Sequence, residues 1–254
     1  MKKSSRKKPI KQIVKKFYDE VANSGGCCER CSCSPKNNKE ISKSIGYSES
    51  ETGELAEANL GLGCGNPTAM AKIKAGDTVV DLGSGAGFDA FLAAKRVGTR
   101  GKVIGVDFSK PMIVKAKSNA KKYGFKNTNF IYGDIEKLPL DDGIADIIIS
   151  NCVINLSSSK EKVFKEINRV LMPTGRAYLS DIVLLKDLSE KERNNEKLIG
   201  GCVGNAILKD EYLKLIKKAG LKAQILDEDK QISKRQYRGI ALESIKLELQ
   251  KRTS

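Results

Sequence analysis

Apolar and polar positions alternate along the chain in two rhythms. Ile10, Ile13, Val14, Phe17 and Val21 recur at helical spacing, which predicts an amphipathic helix over 10–22 that ends at Gly25-Gly26. Segment 27–50 has no apolar period and reads as an irregular, polar, Cys-rich loop, followed by a short helix over 52–59. From Asp77 onward short apolar, β-branched runs take over: TVVDLG, VIGVD, NFIYGD, ADIIISN and AYLSDIVLL (177–185). Helical patterns over 87–97, 109–123, 159–171 and 187–199 separate or follow them. Fully apolar strands that alternate with helices predict a parallel sheet covered on both faces. After a helix over 209–219, segments 221–227 and 236–249 alternate apolar and polar residues, which predicts an added antiparallel pair. The expected fold is α/β, a doubly wound, mostly parallel, seven-stranded sheet with a Cys-rich N-terminal arm and C-terminal antiparallel strands. Three parts are expected: a basic helix and Cys-rich arm over 1–50, a ligand-binding core over 51–183, and a C-terminal part over 184–254 that covers the substrate site and completes the sheet.

Composition narrows the chemistry. The 254 residues contain no histidine, which removes histidine acid–base catalysis, His-containing metal sites and Ser–His or Cys–His nucleophile pairs. The net charge of +15 suggests nucleic acid, but it sits at the ends. Residues 1–16 carry eight Lys/Arg and no acid, and residues 230–254 carry seven Lys/Arg against two Glu. The body is close to neutral, so the basic ends are expected to be solvated tails with no specific nucleic-acid partner. No apolar run approaches 18 residues and no apolar stretch follows the basic start, so neither a membrane span nor a secretory signal is expected. Seven cysteines, an odd number, are expected as free thiols in a reducing cytoplasm.

Two groups of residues carry candidate chemistry. The first lies at successive strand ends. TVVDLG runs into Gly83-Ser84-Gly85-Ala86-Gly87 and then a helix, a Gly-x-Gly-x-Gly turn preceded by Asp81. Asp107 ends the second strand, where an acid accepts from ribose hydroxyls, and Asp134 ends the third, placed to meet an adenine edge. Each element alone also suits tight packing or a helix cap; three in order point to one ligand rim. The second group is Cys64, Cys152 and Cys202, which come from three distant, mostly Gly-rich segments over that rim. Cysteine is often a small buried hydrophobe, but three soft thiolates in loops match a trivalent metalloid such as arsenic(III). Its lone pair points away from the sulfurs and needs no base, so attack by it on an electrophile is expected to be nearly flat with pH around 7.

The strand-end pattern resembles the class I S-adenosylmethionine-dependent methyltransferases over about residues 50–250. That resemblance implies that Asp81, Gly83, Ser84, Gly85 and Gly87 hold the methionine part and approach the ribose, and that Asp107 binds the ribose hydroxyls. It also implies Phe108 and Met112 near the adenine, Asp134 and Ile135 contacting it, and Asn151 beside the sulfonium. The words NLGLGCGNP (59–67), DLGSGAGFD (81–89), SNCVINL (150–156) and GGCVG (200–204) resemble the arsenite methyltransferases. KKFYDEVA followed by Cys27-Cys28 resembles them too. By that resemblance Cys152 and Cys202 are the arsenic-binding pair and Cys64 is the third essential thiol. The Cys27-Cys28 pair would serve catalysis by thiol exchange, with arsenic capture, zinc binding or an inert loop as alternatives for the CCERCSC cluster. Departures include Phe108-Ser109 for Met-Thr, Pro173-Thr174-Gly175-Arg176 for Pro-Gly-Gly-Arg, Gly204-Asn205 after Cys202, and the extra Cys31 and Cys33. The implied partners are arsenite, S-adenosylmethionine and an external thiol reductant such as thioredoxin or small thiols, and the chain is expected to be a monomer. Two competing functions stay open: a methyltransferase for a small organic acceptor, which leaves the three thiols unexplained, and a non-catalytic thiol-rich binder of soft metals.

Overall fold

Five apolar runs become parallel neighbours, and the two alternating segments close one edge. The computed structural model describes residues 9–24, 38–237 and 239–252. Its strands are β1 (Thr78–Leu82), β2 (Lys102–Asp107), β3 (Thr128–Tyr132), β4 (Ala145–Asn151), β5 (Leu171–Leu184), β6 (Leu221–Asp229) and β7 (Leu242–Lys251). They form one sheet in the order β3-β2-β1-β4-β5-β7-β6. The pairs β1–β2, β2–β3, β1–β4 and β4–β5 are parallel, while β7 runs antiparallel to both β5 and β6. The strand order reverses between β1 and β4, and such a switch point opens a crevice at the carboxyl ends of the strands. β1 and β4 are almost wholly buried, in keeping with a sheet covered on both faces.

Helices Phe88–Val97, Lys110–Tyr123, Lys160–Val170 and Lys209–Lys218 flank the sheet. Ser109 and Ser159 cap two of them by accepting backbone N–H bonds from the first turn. The helix Ile10–Ser24 buries Val14 and Val21 and packs on helices Lys110–Tyr123 and Glu196–Gly200, so it lies over the rim of the sheet.

Four boundaries depart from the sequence expectation. The polar segment before Glu54 is not an uninterrupted loop: Asn38–Ser44 and Glu49–Glu54 are helices, the second closed by a Ser48/Glu51 capping box. β5 begins at Leu171, six residues early, because Pro173 to Gly175 occupy a register shift against β4 and owe it no ladder bond. The helix expected over 187–199 is split into Glu190–Arg193 and Glu196–Gly200, since the Asn195 side chain accepts from the N–H groups of Lys197 and Leu198 and starts a new helix. The last strand starts at Leu242, after a short helix Ile232–Gln236 and a positive-φ Gly239. Among the described residues no helix is long and apolar enough to cross a membrane. Cys27, Cys28, Cys31, Cys33 and the basic segment 1–8 lie outside the described residues.

Candidate functional site

The turn after β1 is built to admit a ligand. Gly83 has φ +70°, and a Cβ there would lie 2.3 Å from the Val153 side chain. Gly85 has φ +51°, but nothing lies within 4 Å of where its Cβ would be. A left-handed turn with open space on its outer side lets a ligand approach the backbone. The turn is tied down by the N–H groups of Gly83 and Ser84, which both donate to the Val106 carbonyl. It borders a cavity of about 730 Å³ that Asp81, Ser84, Asp89, Asp107, Asn151 and Cys152 also line. An adjoining recess of about 360 Å³ is lined by Gly83, Asp107, Phe108, Asp134 and Ile135.

The acids fix what this cavity can hold. Asp107 accepts from the N–H of Gly85 at 2.9 Å and from that of Ser109 at 2.8 Å, so its carboxylate is pinned in place. Burial lifts Asp107 and Asp89 to about 6. Burial, then the charges of Asp89 and Asp107, push Asp81 well above the usual carboxylate range. Asp81 Oδ2 and Ser84 Oγ are buried and have no hydrogen-bond partner among the described residues. Three carboxyls, and no Lys or Arg among the described residues lining the larger cavity, suit a cationic ligand rich in N–H and O–H donors.

Asp134, Met112 and Gly87 each have protein partners of their own. Asp134 is ion-paired to Lys11 of the N-terminal helix, which also pairs with Glu136. Met112 is wholly buried in a cluster with Val21, Ala22, Leu60 and Ala86 and lines neither cavity. Gly87 packs against Phe91 and Phe130 and serves the start of helix Phe88–Val97.

Asn151 joins the cavity to the thiols. Its Oδ1 accepts from the Cys64 N–H at 3.0 Å, and its Nδ2 donates to Gly65 O at 2.8 Å and Tyr47 Oη at 2.9 Å. This tether holds the Gly-Cys-Gly turn against the end of β4. Asp89 shares it, accepting from Asn151 at 3.2 Å and from Tyr47 at 2.6 Å. Asp89 and Tyr47 carry no sequence signal, because an acid in a first helical turn ordinarily answers the helix dipole.

Cys64, Cys152 and Cys202 are free thiols, each at most 5% exposed. The fold brings them together, with Cys152 against both others. Cys202 Sγ donates to the Cys152 carbonyl at 2.7 Å and lies 3.9 Å from Tyr18 Oη. Among the described residues only Cys152 (φ 59°) and Cys202 (φ 67°) are non-glycine residues with positive φ. That costs energy at both positions and points to a functional constraint. Of the three, only Cys152 borders the large cavity. Sγ of Cys64, Sγ of Cys152 and an oxygen of Asp181 all lie within 4.8 Å of one another. Burial drives Cys64 up; contact with Cys152, then burial, drives Cys202 up. Contact with Cys202 favours the Cys152 thiolate, but contact with Cys64 and burial outweigh it. The resting site therefore holds neutral thiols.

A model of the methyltransferase domain family matches residues 73–220. An arsenite methyltransferase of Halobacterium salinarum is 42% identical over 205 residues, covering 80% of this chain and 51% of its own length. A human arsenite methyltransferase is 34% identical over 219 residues, covering 82% of this chain and 55% of its own. The chain thus spans about half the length of the curated relatives it matches. The crystal structure of an arsenic(III) S-adenosylmethionine methyltransferase from Chlamydomonas reinhardtii superposes with a TM-score of 0.65 at 32% identity, covering 83% of this chain and 73% of that one.

Proposed function

We propose, from the fact that this chain belongs to the arsenite S-adenosylmethionine methyltransferases, that it transfers methyl groups from S-adenosylmethionine to trivalent arsenic bound by Cys64, Cys152 and Cys202. The observation that carries this is one arrangement: three buried thiols from separate segments meet at an acid-lined cavity, and one of them opens onto it. When bound, S-adenosylmethionine supplies an electrophilic methyl on a sulfonium.

Asp81 and Ser84 offer their unpartnered oxygens to the amino-acid end, Gly83 and Gly85 allow close backbone approach, and Asp107 accepts from the ribose hydroxyls. Phe108, Ile135 and Asp134 border the adenine side, with Asp134 shared with Lys11. Asn151 stands at the sulfonium end and holds the Cys64 turn. The thiols, neutral at rest, bind arsenous acid without a base: each arsenic–sulfur bond formed releases a hydroxyl group, which leaves as water with the thiol proton. Methylation raises arsenic formally to the pentavalent state, and two electrons return it to the trivalent state. Cys27-Cys28 are proposed to supply them by forming a disulfide, which thioredoxin or a small thiol then reduces. The further proposal is a monomer that detoxifies arsenic in the cytoplasm without a membrane or nucleic-acid partner.

Titration with arsenite and with zinc, each with and without S-adenosylmethionine, tests the function. Stoichiometric arsenite binding, methylated arsenic and S-adenosylhomocysteine are expected. Tight zinc binding with no methyl transfer would instead indicate a metal-binding protein, and donor binding without arsenite binding an organic acceptor.

Two predictions concern the donor. Asp107→Ala removes a buried acceptor worth about 1–3 kcal/mol, so S-adenosylmethionine binding should weaken by about 5- to 150-fold with arsenite binding unchanged. Unchanged donor affinity by calorimetry contradicts the ribose role. The second concerns pH. Asp89 and Asp107 titrate at about 6 in the fold, above the unfolded value of about 4. Between these values the folded state binds more protons, so ligand-free stability falls as pH rises through that window. A cationic ligand favours the ionised carboxylates. The rise in melting temperature produced by S-adenosylmethionine should therefore grow from pH 5 to pH 7; a rise independent of pH means that the acids do not face its positive charge.

A further inference from the structure

Asp181 is a charged group beside the thiols that the reaction above does not use. It lies in β5 and is 1% exposed. The neighbouring Ser180 carbonyl accepts from the Cys152 N–H at 2.7 Å, which locks β5 against the turn that bears Cys152. A carboxylate oxygen of Asp181 shares a space of 4.8 Å with the sulfurs of Cys64 and Cys152, so an atom seated among them touches all three. The carboxylate is held on both oxygens. Asn155 Nδ2 and the Ile182 N–H donate to Oδ1 at 2.9 Å, and Tyr212 Oη donates to Oδ2 at 2.9 Å. Asn155 and Tyr212 are themselves fully buried. The buried charge of Lys160 also favours the ionised form; burying a carboxylate is nevertheless costly, and a fixed charge aimed into a buried site has its largest effect on charge that develops there.

We propose that Asp181 is an electrostatic catalytic residue: its carboxylate stabilises the positive charge that reaches arsenic as the methyl group is transferred. The inference rests on the proposed function. In the transfer the arsenic lone pair forms the As–C bond. The C–S bond of the sulfonium breaks, and its electron pair stays on sulfur. The sulfonium charge is thereby lost and arsenic, bound to sulfurs and one methyl, gains a formal positive charge. No proton moves and no other reagent is needed. The charge arrives at the thiols, where Asp181 stands, so the carboxylate interacts more strongly with the product-like state than with the reactants. That difference is what accelerates a step.

Asp181→Asn tests this because it keeps an acceptor for Asn155 and Ile182 and removes the charge. In single turnover with preloaded arsenite, methyl transfer should slow by about 10- to 100-fold. Arsenite stoichiometry and S-adenosylmethionine affinity should stay within about threefold of wild type. The same variant should make Cys64 and Cys152 react faster with iodoacetamide, because a neighbouring negative charge that opposes their thiolates is gone. If Asp181→Asn does not fold, Asp181→Ala decides: formate should raise its transfer rate and formamide should not. Wild-type rates in Asp181→Asn, or an Asp181→Ala variant indifferent to formate, overturn the inference and leave the function standing. A wild-type protein that binds arsenite and donor but forms no methylarsenic overturns both.

Discussion

Cys152→Ser is expected to reduce methylation of arsenite and of methylarsenite to background while the protein stays folded. Cys152 is the thiol that borders the donor cavity, and it touches both of the others. Serine replaces a soft sulfur ligand with a hard oxygen of nearly the same size, so the loss falls on arsenic affinity and not on packing. The structural bonds at this position come from the backbone: the N–H donates to Ser180 O and the carbonyl accepts from Cys202 Sγ. They survive the change. Cys202→Ser should have the same effect, since the methylated substrate still requires two sulfurs. Product speciation by chromatography with arsenic detection, on both substrates, reads the result. Methylarsenite turnover by Cys152→Ser would show that its sulfur is not a ligand during transfer.

Cys64→Ser should divide the substrates. Arsenite presents three positions for sulfur, but methylarsenite presents only two once one carries a methyl. The variant should therefore lose activity on arsenite and retain methylarsenite activity within about tenfold, a change in barrier of about 1.4 kcal/mol. The Cys64 turn should hold, because its N–H donates to Asn151 and its carbonyl accepts from Ser244 at 2.7 Å, both through the backbone. Equal loss on both substrates contradicts this division. Cys64 lies on the Asp181 side of Cys152, and Cys202 on the Tyr18 side.

Most of the sheet was legible because fully buried parallel strands must be apolar runs, and β1, β2 and β4 are. The strand-end rule similarly located Asp107, which depends only on where β2 stops. Boundaries failed where side chains compete with periodicity. Asn195 restarts a helix and Ser48 with Glu51 starts one, and both are local signals that a hydrophobic count passes over. The N-terminal helix reaches across the rim and takes Asp134 as an ion-pair partner and Met112 as a packing partner, a long-range fact that no local pattern shows. Asp181 had a readable signal: one acid inside the apolar run LSDIVLL, in a strand too buried to carry it without cause. Tyr18, Tyr47 and Asp89 had none, since their roles exist only once segments 42 to 184 residues apart meet.

The most direct measurement is a single turnover of the wild-type protein preloaded with one equivalent of arsenite, mixed with S-adenosylmethionine and no added thiol, and analysed for both products. One equivalent of methylated arsenic with one of S-adenosylhomocysteine is the expected result; donor consumption with arsenite recovered unmethylated, or no donor consumption at all, contradicts it.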